Sequence, residues 1–213
     1  VALAQAGADV ALVGRSAPEE TVELVKKTGR KVHVIMADLG STEPINTIVE
    51  ETKSQLGGVD ILVNNAGIIK RNDSIDFTEE DWDQVMDINL KTLFFLSQAV
   101  ARSMIDAGKG GKIINIASML SYQGGIRVPS YTASKSGVMG LTRILANEWA
   151  AYGINVNAIA PGYFATNNTA ALQADEKRNS EILGRIPAGR WGEPSDLGGA
   201  AVFLSSSASD YVQ

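Results

Sequence analysis

The sequence predicts an α/β fold, a doubly wound parallel sheet in three αβα layers, from two patterns. Short β-branched runs alternate with longer amphipathic stretches along the 213 residues, which is the arrangement of βαβ units. Several of the short runs are apolar almost throughout, as expected for strands that helices cover on both faces. No repeat, low-complexity segment or linker interrupts the pattern, so residues 1–213 are predicted to form a single domain.

The individual elements follow from these periodicities. Strands are predicted at residues 8–13, 31–36, 59–64, 112–117 and 154–160. Helices are predicted at residues 18–28, 42–56, 79–107, 130–151 and 194–206.

Both ends of the pattern are incomplete. VALAQAG has the features of the end of a helix, with Gly7 just beyond it, and a strand follows. A Rossmann-type fold begins with a strand and a Gly-rich phosphate turn, yet no G-x-G-x-x-G occurs in the sequence. SDYVQ ends the sequence just after a helix, where a further strand is expected. We therefore expect the first and last strands to be missing, with the domain truncated at both ends.

Composition restricts the function classes. The net charge of −5 argues against a nucleic-acid partner. The absence of cysteine removes thiolate nucleophiles and Cys-ligated metals, and no metal site is predicted. The single histidine, His33, lies in a predicted strand without a nucleophile elbow, so a buried strand residue is the favoured interpretation. No apolar run approaches the roughly 18 residues of a membrane span, and no signal peptide is visible, so a cytoplasmic enzyme is expected.

Tyr131 and Lys135 are the strongest chemical signal. Their i, i+4 spacing places them on one face of a predicted helix. An ammonium beside a phenol favours the phenolate and is expected to lower the pKa of Tyr131, which would suit proton transfer near neutral pH. An exposed side-chain pair of no catalytic importance is the alternative for this spacing alone.

Further candidates lie where predicted strands end, the edge at which open α/β sheets bind ligands. Ser118 follows the strand KIINIA and could hydrogen-bond to a substrate oxygen. Asp38, the turn Asn64–Gly67 and Pro161-Gly162 end three other strands, and Asn89 is a polar residue within a long helical stretch. Plain turns or caps are the alternatives for these residues.

Together, Tyr131-x3-Lys135, Ser118 thirteen positions earlier, the NNAG turn, Asn89 and PG-x3-T resemble the classical short-chain dehydrogenase/reductase family over essentially the whole sequence. The resemblance implies that Tyr131 is the acid/base, that Ser118 binds the substrate carbonyl, and that Asn89 holds a proton-relay water near Lys135. It implies that Lys135 also holds the ribose of a nicotinamide cofactor. The other cofactor-binding residues that it implies are Asp38, Leu39, Asn65, Ala66, Gly67, Pro161, Gly162 and Thr166. The family's Gly-rich phosphate turn is absent here.

The cofactor choice stays open between two expectations. Arg15 follows the strand ADVALV where an acidic residue would select NAD, and an arginine there accommodates the 2′-phosphate of NADP. However, the stretches IASMLSYQGGIRVPSYTASKSGVMG and NAIAPGYFATNNT resemble a group within the family that acts on keto-deoxy sugar acids and mostly uses NAD(H). The longer match places NAD(H) slightly ahead of NADP(H).

A sugar-acid substrate requires a cation for its carboxylate. Arg127 lies between Ser118 and Tyr131 and could bind that carboxylate in a bidentate manner, although a structural ion pair is equally consistent with its position. Gln123, Asn167 and Asn168 are candidate partners of the substrate hydroxyls, and Ser118 is the partner of its carbonyl.

The favoured function is therefore an oxidoreductase that uses a nicotinamide cofactor and a keto-deoxy sugar acid. One alternative is another reductase of the family, such as a 3-oxoacyl-carrier-protein reductase or a glucose/polyol dehydrogenase. The other alternative is a non-catalytic cofactor-binding scaffold. The resemblance also implies a homotetramer assembled through helices at about 80–107 and 130–151.

Overall fold

The computed structural model describes all residues, 1–213, and contains five parallel strands. These are β1 (Val10–Gly14), β2 (Val32–Met36), β3 (Ile61–Asn64), β4 (Gly111–Ile116) and β5 (Ile154–Ile159). Each strand overlaps a predicted one, and every pairing is parallel.

The strands form the α/β arrangement that the sequence predicts, with parallel strands flanked by helices, and their hydrogen bonds group them in two sheets. One sheet has the order β1-β2 and the other has the order β3-β4-β5, with β4 in the centre. No ladder joins β1 to β3. The two sheets are connected through helix packing instead, because α3 (Ile45–Leu56) contacts both β1 and β2 and also packs on α5 (Leu93–Ala107), which in turn contacts β3.

The remaining helices surround these sheets. They are α1 (Ala2–Gln5), α2 (Glu19–Lys26), α4 (Glu79–Met86), α6 (Pro129–Trp149), α7 (Ala170–Ala174), α8 (Glu176–Leu183) and α9 (Gly198–Ser205). The sequence predicts all of them except α1, of which it identifies only the end, and α7 and α8, which are short and polar and lie in a segment without a clear apolar period. No helix is both long enough and apolar enough to cross a membrane.

The predicted helix 79–107 is continuous but not uniform. Thr78 caps its first turn by accepting a hydrogen bond from the Asp81 N–H. Between α4 and α5 the chain forms a π-helical turn, Asp87–Thr92, which contains Asn89. Such turns are rare and are often found at functional sites.

Close backbone approach explains one glycine at the start of β4. A Cβ on Gly110 would collide with the backbone of Gly153, and Gly110 also has a φ of 66°. Glycine is therefore required where the loops that precede β4 and β5 meet.

The apolar core lies between the three-stranded sheet and helices α3, α5 and α6. Its fully buried members include Ile113, Ile154 and Val156 from the strands. Val100 and Met104 of α5 belong to the same cluster as these strand residues. This packing fixes the strand ends at which the candidate site residues lie.

A chain of polar side chains crosses this core. The Asn64 amide donates to the Ser97 hydroxyl and to Asn115 Oδ1, both at 2.8 Å, and Asn115 donates to Thr142 at 3.0 Å. Asn64 and Asn115 are in register on β3 and β4. The network therefore connects both strands, near their carboxyl ends, to α5 and α6.

We predict that Asn115→Ala lowers the free energy of unfolding by roughly 2–4 kcal/mol, because it removes the acceptor of one buried Asn64 N–H and the donor to the buried Thr142 hydroxyl. Urea denaturation would measure this loss. Asn147→Ala, which removes an exposed amide hydrogen bond on α6, is the matched control and should change stability by less than about 0.5 kcal/mol. Equal losses in the two variants would contradict a structural role for the network.

Candidate active site

The candidate catalytic residues come together at the carboxyl end of β4. Ser118 follows that strand, and the first two turns of α6 carry Tyr131 and Lys135. Ser118 and Lys135 are buried, with 9% and 3% of their surface exposed. The Lys135 Nζ lies 5.7 Å from the centre of the Tyr131 ring. The parallel sheet thus assembles the triad that the sequence predicts.

The Lys135 ammonium is held by the backbone. Its Nζ donates to the carbonyl oxygen of Ile116, the last residue of β4, at 2.6 Å. Burial lowers the pKa of Lys135 to about 8, because the charged form is poorly solvated there. The side chain is therefore mostly cationic at neutral pH.

The expected lowering of the Tyr131 pKa is wrong. Burial raises the pKa of the Tyr131 phenol above its usual value. Ser118 and the positive charge of Arg71 act in the opposite direction but only partly offset burial. The Lys135 ammonium hydrogen-bonds to the Ile116 carbonyl and not to the phenol.

Arg71 is a site residue that sequence reasoning missed. It is exposed, forms no ion pair, and its Nη2 donates to the backbone oxygen of Asn168 at 2.8 Å. Its charge nonetheless acts on the Tyr131 phenol. Its position four residues after the NNAG turn, at the carboxyl end of β3, was the available signal.

Arg127 is engaged elsewhere. Its Nε pairs with the carboxylate of Asp73 at 3.1 Å, and its backbone oxygen accepts from the Asn72 N–H. It is also the one non-glycine residue with a positive φ, 65°. The structural ion pair that the sequence left open is therefore present, and Arg127 serves to join two loops at the rim of the site.

Asn89 is fully buried beneath the NNAG turn. Its amide accepts from the Ile68 N–H at 2.8 Å and donates to the Ile68 carbonyl at 3.0 Å. It also donates to Ser134, whose hydroxyl donates to the Tyr131 carbonyl. Both amide N–H groups are thus used for positioning, so a relay water would have to bind to an oxygen of Asn89.

Gly67 lies against these groups. A Cβ at this position would lie 3.3 Å from Asn89 Oδ1 and 3.7 Å from Lys135 Nζ. Glycine therefore lets the backbone of the turn pass close to Asn89 and to the buried ammonium. Asn65 and Ala66, which precede it in the turn, are exposed.

The other predicted cofactor residues lie at the ends of neighbouring strands. Pro161 and Gly162 follow β5, and the Pro161 carbonyl accepts from the Met119 N–H next to Ser118. Asp38 and Leu39 follow β2, and Asp38 Oδ1 accepts from the Gly40 N–H. Arg15 follows β1, is exposed and forms no ion pair.

The predicted substrate residues of the segment after β5 are also exposed. Thr166 begins a short turn, Asn167–Thr169, stabilised by reciprocal hydrogen bonds between Thr166 and Thr169. Asn167 and Asn168 belong to this turn, and Gln123 lies in the loop before α6. Within this segment the Asn168 backbone, through Arg71, provides a direct link to the loop after β3.

The chain is similar to known oxidoreductases over its whole length. A family model described as enoyl-(acyl carrier protein) reductase matches residues 1–213. The 2-dehydro-3-deoxy-D-gluconate 5-dehydrogenase of Escherichia coli K12 is 61% identical over 210 residues, which cover 99% of this chain and 83% of that protein.

Solved structures give the same result. A proposed 2-deoxy-D-gluconate 3-dehydrogenase from Agrobacterium tumefaciens with bound NADP matches with a TM-score of 0.93 and 57% identity, over 100% of this chain and 84% of that one. A gluconate 5-dehydrogenase from Burkholderia cenocepacia in complex with NADP and tartrate matches with a TM-score of 0.92 and 39% identity, over the same shares. The chain belongs to the short-chain dehydrogenase/reductase family.

Proposed function

We propose that this protein is a nicotinamide-dependent oxidoreductase that interconverts the ketone and the secondary alcohol of a keto-deoxy sugar acid of the 2-dehydro-3-deoxy-D-gluconate type. The observation that carries the proposal is the assembly of Ser118, Tyr131 and Lys135 at the carboxyl end of β4, beside the turn at Gly67. The 61% identity to an enzyme of that name supports the substrate class.

The proposed chemistry follows from these side chains. The cofactor, when bound, supplies or accepts the hydride. The Ser118 and Tyr131 hydroxyls hydrogen-bond to the reacting oxygen and stabilise the charge that develops on it. Because burial raises the pKa of Tyr131, the phenol keeps its proton at neutral pH and can donate it to that oxygen. Lys135 holds the cofactor ribose, and Asn89 supports the turn that encloses it.

Arg71 is the proposed partner of the substrate carboxylate, in place of Arg127. Its guanidinium forms no ion pair and acts on the Tyr131 phenol, whereas Arg127 is paired with Asp73. An arginine whose donors meet only one backbone carbonyl can still bind a carboxylate in a bidentate manner. The tartrate bound to the Burkholderia relative is consistent with an acid-binding site in this family. Gln123, Asn167 and Asn168 remain the candidates for the sugar hydroxyls.

Arg15 supports NADP(H) as a cofactor. It follows β1 and has no acidic partner within the chain, so its charge is available for a 2′-phosphate. Two of the structural neighbours described above contain NADP. This support now outweighs the slight preference for NAD(H) that the sequence suggested.

The assembly we propose is a cytoplasmic homotetramer. Its support is the exposure of Phe95 on α5 and of Ile144 on α6, apolar side chains on the two helices that the family resemblance assigns to subunit contacts. The absence of cysteine is compatible with the reducing cytoplasm.

The first prediction concerns the proton donor. The protein should reduce or oxidise the 2-dehydro-3-deoxy-D-gluconate pair, and Tyr131→Phe should lower kcat at least about 100-fold. Absorbance of the reduced cofactor measures the rate, with NAD and NADP in parallel. Near-normal turnover of Tyr131→Phe would contradict the mechanism.

The same assay tests the substrate and the cofactor. Activity only on an acetoacetyl thioester or a neutral sugar would contradict the proposed substrate. Activity with NAD alone would contradict the proposed role of Arg15.

The second prediction separates the two arginines. Arg71→Ala should raise KM for the sugar acid by about 10- to 100-fold, the effect of losing a charge-assisted pair, but should change KM for a neutral ketone little. Arg127→Ala should leave both values within about threefold, since its partner is Asp73. A selective effect of Arg127→Ala on the acid would instead make Arg127 the anchor.

The third prediction concerns the buried ammonium. The unfolded chain holds the Lys135 proton up to about pH 10.5, while the folded protein releases it near pH 8. Stability should therefore rise with pH in this window, because the unfolded state binds more protons. Relative to Lys135→Met, the free energy of unfolding of the parent should increase by up to roughly 3 kcal/mol between pH 8 and 10.5. Urea denaturation measures this free energy, and Lys109→Met, at an exposed lysine, is the control. If the difference between the parent and Lys135→Met did not change with pH, the burial of a cation would be contradicted.

A further inference from the structure

One hydroxyl joins the backbones of the two segments that carry the catalytic groups. Ser121 ends the short 3₁₀ turn Met119–Ser121 that follows β4. Its Oγ accepts a hydrogen bond from the Ser118 N–H at 3.2 Å and donates to the Lys135 carbonyl oxygen at 2.7 Å. The side chain thus bridges the β4 end and the second turn of α6.

Ser118 is oriented by this bridge. Its own Oγ accepts from the Leu120 N–H at 3.1 Å, so Ser118 and Ser121 form a reciprocal capping box around the turn. Loss of the Ser121 hydroxyl would leave the N–H of a buried serine without its partner. The turn would then lose one of the two bonds that fix the direction of the Ser118 side chain.

The end of β4 and α6 must be held at a fixed distance from each other. Ser118 and Tyr131 must reach one substrate oxygen together, and that demands fixed geometry. The chain between them runs through the exposed loop at 122–127, so direct contacts between the end of β4 and α6 set that geometry: the Lys135–Ile116 hydrogen bond holds Lys135, and the Ser121 bridge holds Ser118. The carbonyl of Lys135 has two lone pairs and can accept from Ser121 within the helix, so the link holds the turn directly against α6.

We propose that Ser121 is a positioning residue for the oxidoreductase reaction, which acts by holding Ser118 at a fixed place relative to Tyr131 on α6. The inference rests on the proposed function, since it assigns Ser121 its effect through the Ser118–Tyr131 pair. Because Ser118 lowers the pKa of the Tyr131 phenol, a displaced Ser118 should also change the titration of Tyr131.

Three variants test the role. In Ser121→Ala, kcat should fall about tenfold, the effect of roughly one hydrogen bond, while KM for the cofactor changes less than twofold. Ser121→Thr keeps the hydroxyl and should restore kcat to within about threefold of the parent. Ser206→Ala removes a comparable hydroxyl-to-backbone bond, to the Phe203 carbonyl at 2.9 Å, and should leave kcat unchanged.

A second readout does not require turnover. The titration of Tyr131 in the cofactor-free protein is obtained at 295 nm as the difference between each protein and its Tyr131→Phe counterpart. Ser121→Ala should raise the apparent pKa of Tyr131, and Ser206→Ala should not. If Ser121→Ala does not fold, Ser121→Cys, which keeps the volume with only a weak donor, takes its place with the same expected results.

A double-mutant cycle decides whether Ser121 acts through Ser118. In a Ser118→Ala background, Ser121→Ala should cause no further fall in kcat, because the group that it positions is gone. The same tenfold fall in both backgrounds, or parent-like kcat and titration in folded Ser121→Ala, would overturn the inference. Failure of the proposed function itself is distinguishable, since Tyr131→Phe would then retain activity.

Discussion

The buried ammonium of Lys135 is the constraint on which the rest of the site depends. A cation with 3% of its surface exposed must be satisfied by polar atoms, and the partner available is the carbonyl of Ile116 at the end of β4. That contact fixes the second turn of α6 against the strand. Tyr131, one turn earlier on the same helix face, and Ser118, two residues beyond Ile116, are brought together as a consequence.

Around this contact, buried asparagine side chains hydrogen-bond to neighbouring elements. Asn89 pairs with the backbone of Ile68, as a neighbouring strand would, and so holds the turn at Gly67 over Lys135. Deeper in the core, Asn64 and Asn115 connect the same strands to α5 and α6. Because unsatisfied groups are costly in this environment, each network specifies one arrangement of strands and helices, and the site inherits that arrangement.

The sequence predicted those parts of the molecule that local pattern determines. All five strands were identifiable because parallel strands covered on both faces are apolar, and Tyr131 and Lys135 because a helix makes i, i+4 neighbours. Arg71 was missed, since its position after the NNAG turn indicates only the end of β3, whereas its contact with Asn168 joins residues 97 positions apart. The direction of the Tyr131 pKa was missed for a related reason. Spacing along a helix places Lys135 near Tyr131 but does not show how deeply the phenol is buried, and burial is what raises its pKa.

Arg127 and Arg71 make different long-range contacts at the site. Arg127 adopts a positive φ of 65° between the catalytic segments, a conformation that is costly for a residue with a side chain. It persists because Asn72 and Asp73 hold it from the opposite loop. Arg71, adjacent to those two residues in the chain, has no carboxylate partner and extends toward the segment after β5. One arginine thus stabilises the rim of the site and holds the neighbouring loop, while the guanidinium of the other stays without a carboxylate partner, as the proposed contact with a substrate acid requires.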